Sequence, residues 1–195
     1  MPFASSRRGR RSKADAAGSI TADGTSTTTV TVQLVDANGN NLTSGGDTVT
    51  LATDSGTLSA VTDNGDGTYS AVLTASTTAG TATISGSVNG SPVTDTASLN
   101  YVAGAVSAGS SQIISAAPAI TADGVSTTTI TVQLTDANGN NITSGGDTVT
   151  LTTDNGTLSA VTDNGDGSYS ATLTASTTAQ TANISGSVNG SPITD

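Results

Sequence analysis

One segment of the chain occurs twice in nearly the same form. Residues 20–95 align with residues 120–195 without a gap, and of these 76 positions 11 differ and 65 are identical. The offset of 100 residues (120 minus 20) is the size of one β-sandwich domain and is much longer than one turn of a solenoid. Whatever fold the segment adopts must therefore be present twice, in tandem.

Each copy alternates apolar and polar residues over short stretches, which predicts β-strands with one buried face. In the first copy Val30, Val32 and Leu34 share one face. The other predicted faces are Val49 with Leu51, Tyr69 with Ala71 and Leu73, Ala82 with Ile84 and Val88, and, in a last strand, Val93, Ala97, Leu99 and Tyr101. Asn-, Asp- and Gly-rich turns separate these stretches, at 36–41, 44–47, 54–56, 63–67 and 89–90.

The differences between the copies agree with one buried and one solvent-facing side. An apolar residue replaces an apolar one where we predict burial, as in Val30 and Ile130. A polar residue replaces an apolar one where we predict exposure, in the pairs Val35/Thr135, Ala52/Thr152 and Val72/Thr172. This is the behaviour of an antiparallel sheet with one face in a core and one in water.

Short strands separated by turns every 8–12 residues or so are typical of an immunoglobulin-like sandwich. The segment from Gly67 to Ala71 places Tyr69 where antibody-type domains have a tyrosine corner, with Ala71 at the position of the second Cys. We predict an all-β protein with two tandem immunoglobulin-like β-sandwich domains, at 15–103 and 104–195. The second lacks its last strand, and a basic, disordered arm at 1–14 precedes the first.

The charged residues are segregated along the chain. All 15 acidic residues are Asp, and the five basic residues lie within the first 13 positions, as Arg7, Arg8, Arg10, Arg11 and Lys13. From Ala14 onward there is no Lys, Arg, His, Cys or Trp, which excludes Ser–His and Cys–His nucleophile pairs, zinc sites and disulfides. We expect no enzymatic activity, because the candidate carboxylate pair of a glycosidase, Asp63 and Asp66, lacks the aromatic residues on which a sugar would stack. We also expect this part of the chain to have no nucleic-acid partner, because it has no Lys or Arg to contact phosphates.

The motifs at 20–40, 46–51 and 58–76 give a family resemblance. The sequences ITADGTSTTTVTVQLVDANGN, GDTVTL and LSAVTDNGDGTYSAVLTAS resemble the bacterial Ig-like repeats (group 1) of invasin/intimin-type surface adhesins, and DNGDGTYS also resembles the matching turn of filamin-type repeats. The resemblance covers about 20–102 and 112–195. It implies spacer or stalk repeats of an adhesin on the bacterial cell surface, with neighbouring repeats and a host-surface glycan or protein as partners. The alternative is a module of a phage tail or fibre protein that assists host-surface binding.

Both ends of the repeated region differ from a complete domain. Asp95 in copy one is followed by TASLNYV, the predicted last strand, whereas copy two stops at Asp195. Lys13 and Ala14 stand where copy two has Ile113 and Ile114, so the first strand of copy one should be weakened or begin late. Either the chain is part of a longer array, or the open edge of copy two accepts a strand from another molecule. No complete secretory signal and no membrane-inserting segment is apparent.

From Ala14 onward the chain has carboxylates but no basic side chain to pair with them, which suggests calcium as their counter-ion. No other cofactor is predicted. If successive strands run antiparallel, the turns near 22–24 and 54–56 of copy one lie at the pole next to copy two. An inter-domain calcium site is then predicted from Asp23, Asp54, Asp136, Asp147, Asp163 and Asp166. A second pattern, Asp36, Asn38, Asn40 and Asp47, resembles an EF-hand loop but lacks its Gly and Glu, which favours an ordinary turn.

Overall fold

The computed structural model describes residues 12–15 and 18–194, and this part of the chain contains strands, turns and loops but no helix. The chain divides into two compact units, Met1–Val102 (unit 1) and Ala103–Asp195 (unit 2). Among the described residues there is no helix long and apolar enough to cross a membrane. Residues 1–11 of the predicted basic arm lie outside the described residues. The strand β1 (Ser12–Asp15) begins inside the segment assigned to that arm.

Unit 1 is a sandwich of two sheets. The first sheet contains, in this order, β1, β3 (Thr27–Leu34), β7 (Thr68–Thr74) and β5 (Thr57–Leu58). A further short strand, β6 (Thr62–Asp63), also pairs with β7. The second sheet contains, in this order, β2 (Ser19–Thr21), β10 (Ala97–Val102), β8 (Gly80–Val88) and β4 (Val49–Thr53). A further short strand, β9 (Ser91–Pro92), also pairs with β8. Most neighbouring pairs are antiparallel, but β2 and β10 run parallel.

Unit 2 repeats the first sheet and only part of the second. Its first sheet contains, in this order, β11 (Val106–Ser115), β12 (Thr127–Asp136), β16 (Ser168–Thr174) and β14 (Thr157–Leu158). A further short strand, β15 (Thr162–Asp163), also pairs with β16. Its second sheet has three strands, β13 (Val149–Thr153), β17 (Ile184–Val188) and β18 (Ser191–Pro192). The described residues of unit 2 contain no counterpart of β10.

The predicted inward faces form the cores. In unit 1 one cluster includes Leu73, Ile84 and Leu99, and a second includes Leu34 and Tyr69. Unit 2 retains the second of these clusters, with buried residues Val132, Leu134, Val149, Tyr169 and Val188. The fold is therefore all-β, with two tandem immunoglobulin-like β-sandwiches, as the repeat predicts, and the described residues of unit 2 end before a counterpart of β10.

Three local expectations were wrong. Val93 lies in the loop after β9 rather than in the last strand, which starts at Ala97. Thr135, predicted to face solvent, is buried, because β11 pairs with β12 across it. The hydroxyl of Tyr69 accepts the N–H of Asp47, 22 residues upstream, instead of bonding within a few residues as in a tyrosine corner.

The first strand is described in part in unit 1, as Ser12–Asp15, whereas β11 of unit 2 has ten residues and carries a register shift between Ser107 and Gln112. That the first strand of copy one is weakened or begins late stays a prediction, because residues 1–11 and 16–17 lie outside the described residues. Ile113 in β11 packs against the core of unit 2, at a position where copy one has Lys13. A charged residue there does not favour the buried face of a strand.

Candidate functional site

Most of the described acidic residues lie in loops or at strand ends of their sandwich and accept hydrogen bonds there. Asp63 shows the pattern, since its carboxylate accepts the N–H of Gly46 at 2.7 Å and that of Gly65 at 2.9 Å. It thereby ties the loop at 44–47 to the turn at 63–67. A Cβ on Gly45 would collide with this carboxylate, so the close approach requires Gly at that position.

Asp163 repeats this arrangement in unit 2. It accepts the N–H of Gly146 and the N–H of Gly165, both at 2.8 Å. In the same turn Asp166 accepts the N–H of Ser168 at 3.0 Å and its hydroxyl at 2.6 Å. The Ser168 hydroxyl and N–H lower the pKa of Asp166, because they bond to its charged form.

Asp136 differs most from its counterpart in unit 1. Asp36 accepts the N–H groups of Asn38 and Asn40 and the side chain of Asn40 in an exposed loop. Asp136 accepts the same groups from Asn138 and Asn140 and also the N–H of Gly104, at 2.9 Å. It is only 2% exposed.

The hydrogen bonds of Asp136 outweigh the effect of burial on its charge. Burial favours the neutral acid, but the side chain of Asn140 and the N–H groups of Gly104, Asn140 and Asn138 lower the pKa of Asp136 to about 2. The carboxylate therefore stays ionised and holds the first residues of unit 2 against the loop at 136–141. Neither the repeat nor the composition predicts this contact, because Gly104 lies outside the repeated segment.

Asp147 joins another set of loops through Tyr169. Its N–H donates to the Tyr169 hydroxyl at 2.9 Å, and its carboxylate accepts the side-chain amide of Asn189 at 2.7 Å. Asn189 in turn accepts the N–H of Thr148 at 3.0 Å. Burial raises the pKa of Tyr169, so the hydroxyl stays protonated.

The two candidates of unit 1 are also held within their own unit. Asp23 accepts the hydroxyl and N–H of Ser26 and the N–H of Thr25, and these bonds lower its pKa. Asp54 accepts the N–H of Thr83 at 2.7 Å, beside the strand pair β4 and β8. Each of the six predicted calcium ligands thus accepts a hydrogen bond from its own unit.

Within either unit, the described residues contain no group of three or more acidic side chains placed to hold one metal ion. The loop at 36–40 forms an Asx-type turn around Asp36, as the absence of the EF-hand Gly and Glu favours. Calcium binding by Asp23, Asp54, Asp136, Asp147, Asp163 and Asp166 stays a prediction.

The sandwiches and their carboxylate-closed loops define a tandem bacterial Ig-like module. The family model for invasin, domain 3, matches residues 11–104 and again 107–195. The chain therefore belongs to the invasin domain 3 family, which confirms the resemblance of its motifs to invasin/intimin-type repeats. No curated protein matches the chain.

Several solved bacterial proteins are similar to this chain. Invasin, a bacterial integrin-binding protein, is 31% identical with a TM-score of 0.65, over 94% of this chain and 37% of invasin. InvD of Yersinia pseudotuberculosis is 35% identical with a TM-score of 0.67, over 94% of this chain and 54% of InvD. The Escherichia coli adhesin FdeC is 27% identical with a TM-score of 0.52, over 93% of this chain and 60% of FdeC.

The chain thus spans between 37% and 60% of the length of these relatives. It consists of adhesin-related Ig-like repeats, and repeats of this family are in general not enzymes.

Acid is expected to destabilise the protein through the loop carboxylates. A carboxylate with a lowered folded-state pKa stabilises the fold above its unfolded value of about 3.9, and this contribution is lost as the pH falls through the folded value. Hydrogen bonds from the N–H and hydroxyl of Ser126 and the N–H of Val125 lower the pKa of Asp123 to about 2, the same value as for Asp136. The free energy of unfolding, measured with urea, should therefore fall between about pH 4 and pH 2.

The matched variants are Asp136→Asn and Asp36→Asn. The first should lower stability at neutral pH more and should remove more of the acid sensitivity, because Asp136 is buried and also accepts Gly104. An equal effect of the two variants, or a stability independent of pH in this window, would contradict this account of the loops.

Proposed function

We propose that the chain forms spacer repeats in the stalk of a bacterial cell-surface adhesin, on the extracellular side. The observation that carries the proposal is the connection between two nearly identical sandwiches. Strand β10 ends at Val102 and β11 begins at Val106, so residues 103–105 make the connection. The N–H of Gly104 within it is held by Asp136.

A connection of three residues spans little distance, so it limits how far apart the domains that it joins can lie. The described loops contain carboxylates whose hydrogen bonds close turns, and we assign them no receptor. The net charge of −10 keeps an array of such units soluble and opposes its collapse.

Two other readings of the same fold are weaker. A host-surface glycan or protein partner would require one of the loops to bind it, and a phage tail or fibre module would use the same sandwiches. The adhesin reading is favoured because the relatives InvD and FdeC are proteins of bacteria and FdeC is itself named an adhesin.

The spacer proposal predicts reach without adhesion. Bacteria that display the chain alone on an unrelated anchor should bind host cells no better than bacteria that display the anchor. When a nanobody is added at the tip, the chain should allow capture of antigen through a polymer brush that blocks the nanobody on the bare anchor.

The control for reach is a Gly/Ser linker with the same number of residues, which collapses to a random coil and should reach less far. Saturable binding of host cells by the chain alone would contradict the spacer proposal and favour a binding module. A reach equal to that of the Gly/Ser linker would also contradict it.

Calcium is a separate proposal that rests on charge alone. If Asp23, Asp54, Asp136, Asp147, Asp163 and Asp166 bind calcium in the folded chain, saturating calcium should raise the melting temperature by several degrees over chelator. Magnesium at the same concentration is the control, because its strict octahedral geometry fits loop carboxylates poorly. A shift below about one degree would remove the calcium proposal and leave the spacer proposal intact.

A further inference from the structure

Seven Asn residues of the chain are followed directly by Gly. They are Asn38, Asn64, Asn89, Asn138, Asn155, Asn164 and Asn189. Because Gly has no side chain, its backbone nitrogen can approach the side-chain carbonyl carbon of the preceding Asn closely. Every such pair can therefore react with itself, and the groups around the two reacting atoms determine how fast it does so.

The pair Asn64 and Gly65 lies in an exposed turn and has polar partners at all of its reacting atoms. The N–H of Gly65 donates to the Asp63 carboxylate at 2.9 Å. The side-chain carbonyl of Asn64 accepts the hydroxyl of Ser70 at 3.2 Å. The side-chain nitrogen of Asn64 donates to the Thr68 hydroxyl at 2.9 Å. Both members of the pair are exposed, so water reaches them.

Unit 2 contains the same arrangement around its own pair. The N–H of Gly165 donates to the Asp163 carboxylate at 2.8 Å. The side-chain carbonyl of Asn164 accepts the Ser170 hydroxyl at 3.0 Å, and its side-chain nitrogen donates to the Ser168 hydroxyl at 2.9 Å. Each contact is made by the residue at the equivalent position, so the arrangement occurs twice in the chain.

A third segment has the same three residues in sequence but a different arrangement. In Asp154, Asn155 and Gly156 the carboxylate accepts the N–H of Asn183 at 2.7 Å and its side-chain amide at 2.6 Å. In the described part of unit 2 the N–H of Gly156 donates to no carboxylate. The sequence Asp-Asn-Gly alone therefore does not bring a carboxylate to the Gly nitrogen.

The other four pairs also have no carboxylate at the Gly nitrogen. In the loops at 36–41 and 136–141 the N–H of Gly donates to a backbone carbonyl, which cannot take up its proton. The side-chain carbonyls of Asn89 and Asn189 accept a backbone N–H, but the Gly after each donates to no carboxylate. Among the described residues, only the two turns above bring a carboxylate to this nitrogen.

The contacts around Asn64 are those that a cyclisation requires. The Gly65 nitrogen attacks the side-chain carbonyl carbon of Asn64, and Asp63 lies within hydrogen-bond reach of the proton that this nitrogen loses. The Ser70 hydroxyl donates to the oxygen on which negative charge develops. The bond from the carbonyl carbon to the side-chain nitrogen then breaks. This nitrogen leaves with the bonding electrons and the proton from Asp63 as ammonia, and a succinimide ring remains.

Water opens the ring and fixes a change in the turn. It adds to either ring carbonyl and gives aspartate or isoaspartate at position 64. Both products place a new carboxylate beside Asp63 and Asp66, where like charges repel. Isoaspartate also lengthens the backbone by one carbon atom.

We propose that Asn64 and Asn164 cyclise onto the Gly that follows them, with Asp63 and Asp163 as general bases, and that the two turns are self-modifying sites. The substrate is the side-chain amide of the chain itself, and the only co-reactant is water. This activity goes beyond the spacer proposal and does not depend on it.

The test follows all seven pairs within one molecule, the full chain kept at neutral pH. Chymotryptic cleavage after Leu58 and Tyr69 releases Asn64 in a peptide that differs from its counterpart in unit 2 at one position, Thr68 or Ser168. Mass spectrometry therefore assigns each product to its unit. The products measured are the succinimide, which has lost one ammonia, and the aspartate and isoaspartate peptides.

Asn64 and Asn164 should react about a hundredfold faster than Asn155, which is the lower end of the effect of a positioned general base. They should also react faster in the folded chain than in the same chain unfolded in urea. The other pairs should react more slowly when folded, because the fold restrains them without supplying a base. Circular dichroism should establish that the chain stays folded.

Two variants separate the base from the other contacts. Asp63→Asn keeps an oxygen for the N–H of Gly65 but cannot take up its proton, so it should slow the reaction of Asn64 at least about tenfold. Asn164 in the same molecule should keep its rate and is the internal control. Ser70→Ala should also slow Asn64 at least about tenfold, because the developing negative charge loses its donor.

Rates at Asn64 and Asn164 no higher than at Asn155 would overturn the proposal. So would rates that are lower in the folded than in the unfolded chain, because the hydrogen bonds would then restrain the pairs instead of activating them. An unchanged rate at Asn64 in a folded Asp63→Asn chain would show that Asp63 is not the base. None of these outcomes bears on the spacer proposal, which concerns reach and host-cell binding.

Discussion

The second sheet of each sandwich depends on one central strand, which is β10 in unit 1, where it pairs with β2 on one side and β8 on the other. Strand β10 brings Leu99 and Tyr101 into the core. The described residues of unit 2 include no such strand, and residues 119–121 and 180–183 form no β-structure there. Gln180 and Asn183 also stand in place of Gly80 and Thr83. Strand formation here is a property of the assembled sheet, because isolated pairs of short strands are marginal in water.

The loop carboxylates provide the other constraint on the structure. After residue 13 the chain has no Lys, Arg or His to pair with Asp, and the described carboxylates are stabilised by N–H and hydroxyl donors. The same bonds close the turns between strands, as Asp63 and Asp136 show. The carboxylates thus close turns and also keep the chain soluble. Both roles agree with the proposal that the repeats act as spacers.

Much of the fold could be predicted from the sequence, because β-strands with one buried face show an apolar residue at every second position. The alternation in 30–34 and 69–73 identified buried faces, and the repeat placed the same faces in unit 2. Contacts between distant segments could not be predicted in this way. The bond between Gly104 and Asp136 joins residues 32 positions apart, and the Tyr69 hydroxyl bonds Asp47 rather than a near neighbour. The burial of Thr135 depends on β11, whose sequence lies outside the repeat.

The candidate site was predicted less well than the fold. The turns that contain the six carboxylates were identified correctly from Asn, Asp and Gly. Their hydrogen-bond partners were not, since a carboxylate in a turn has the same sequence signature whether it binds a metal ion or its own backbone. The pattern Asp-x-Asn-x-Asn at 36–40 was the one signal that favoured the backbone, through the missing Gly and Glu.

Hydrogen exchange of matched amides tests the dependence on β10 most directly, within one molecule. The N–H groups of Thr83 and Asn183 donate to Asp54 and Asp154, so those of Ala82, Ile84, Ala182 and Ile184 point the opposite way. In unit 1 this side carries β10, whereas the described residues of unit 2 have no strand there. If strand pairing depends on β10, Ala82 and Ile84 should exchange on the order of a hundredfold more slowly than Ala182 and Ile184. Equal protection of the two pairs would contradict the central claim, because the edge of unit 2 would then be as well paired as that of unit 1.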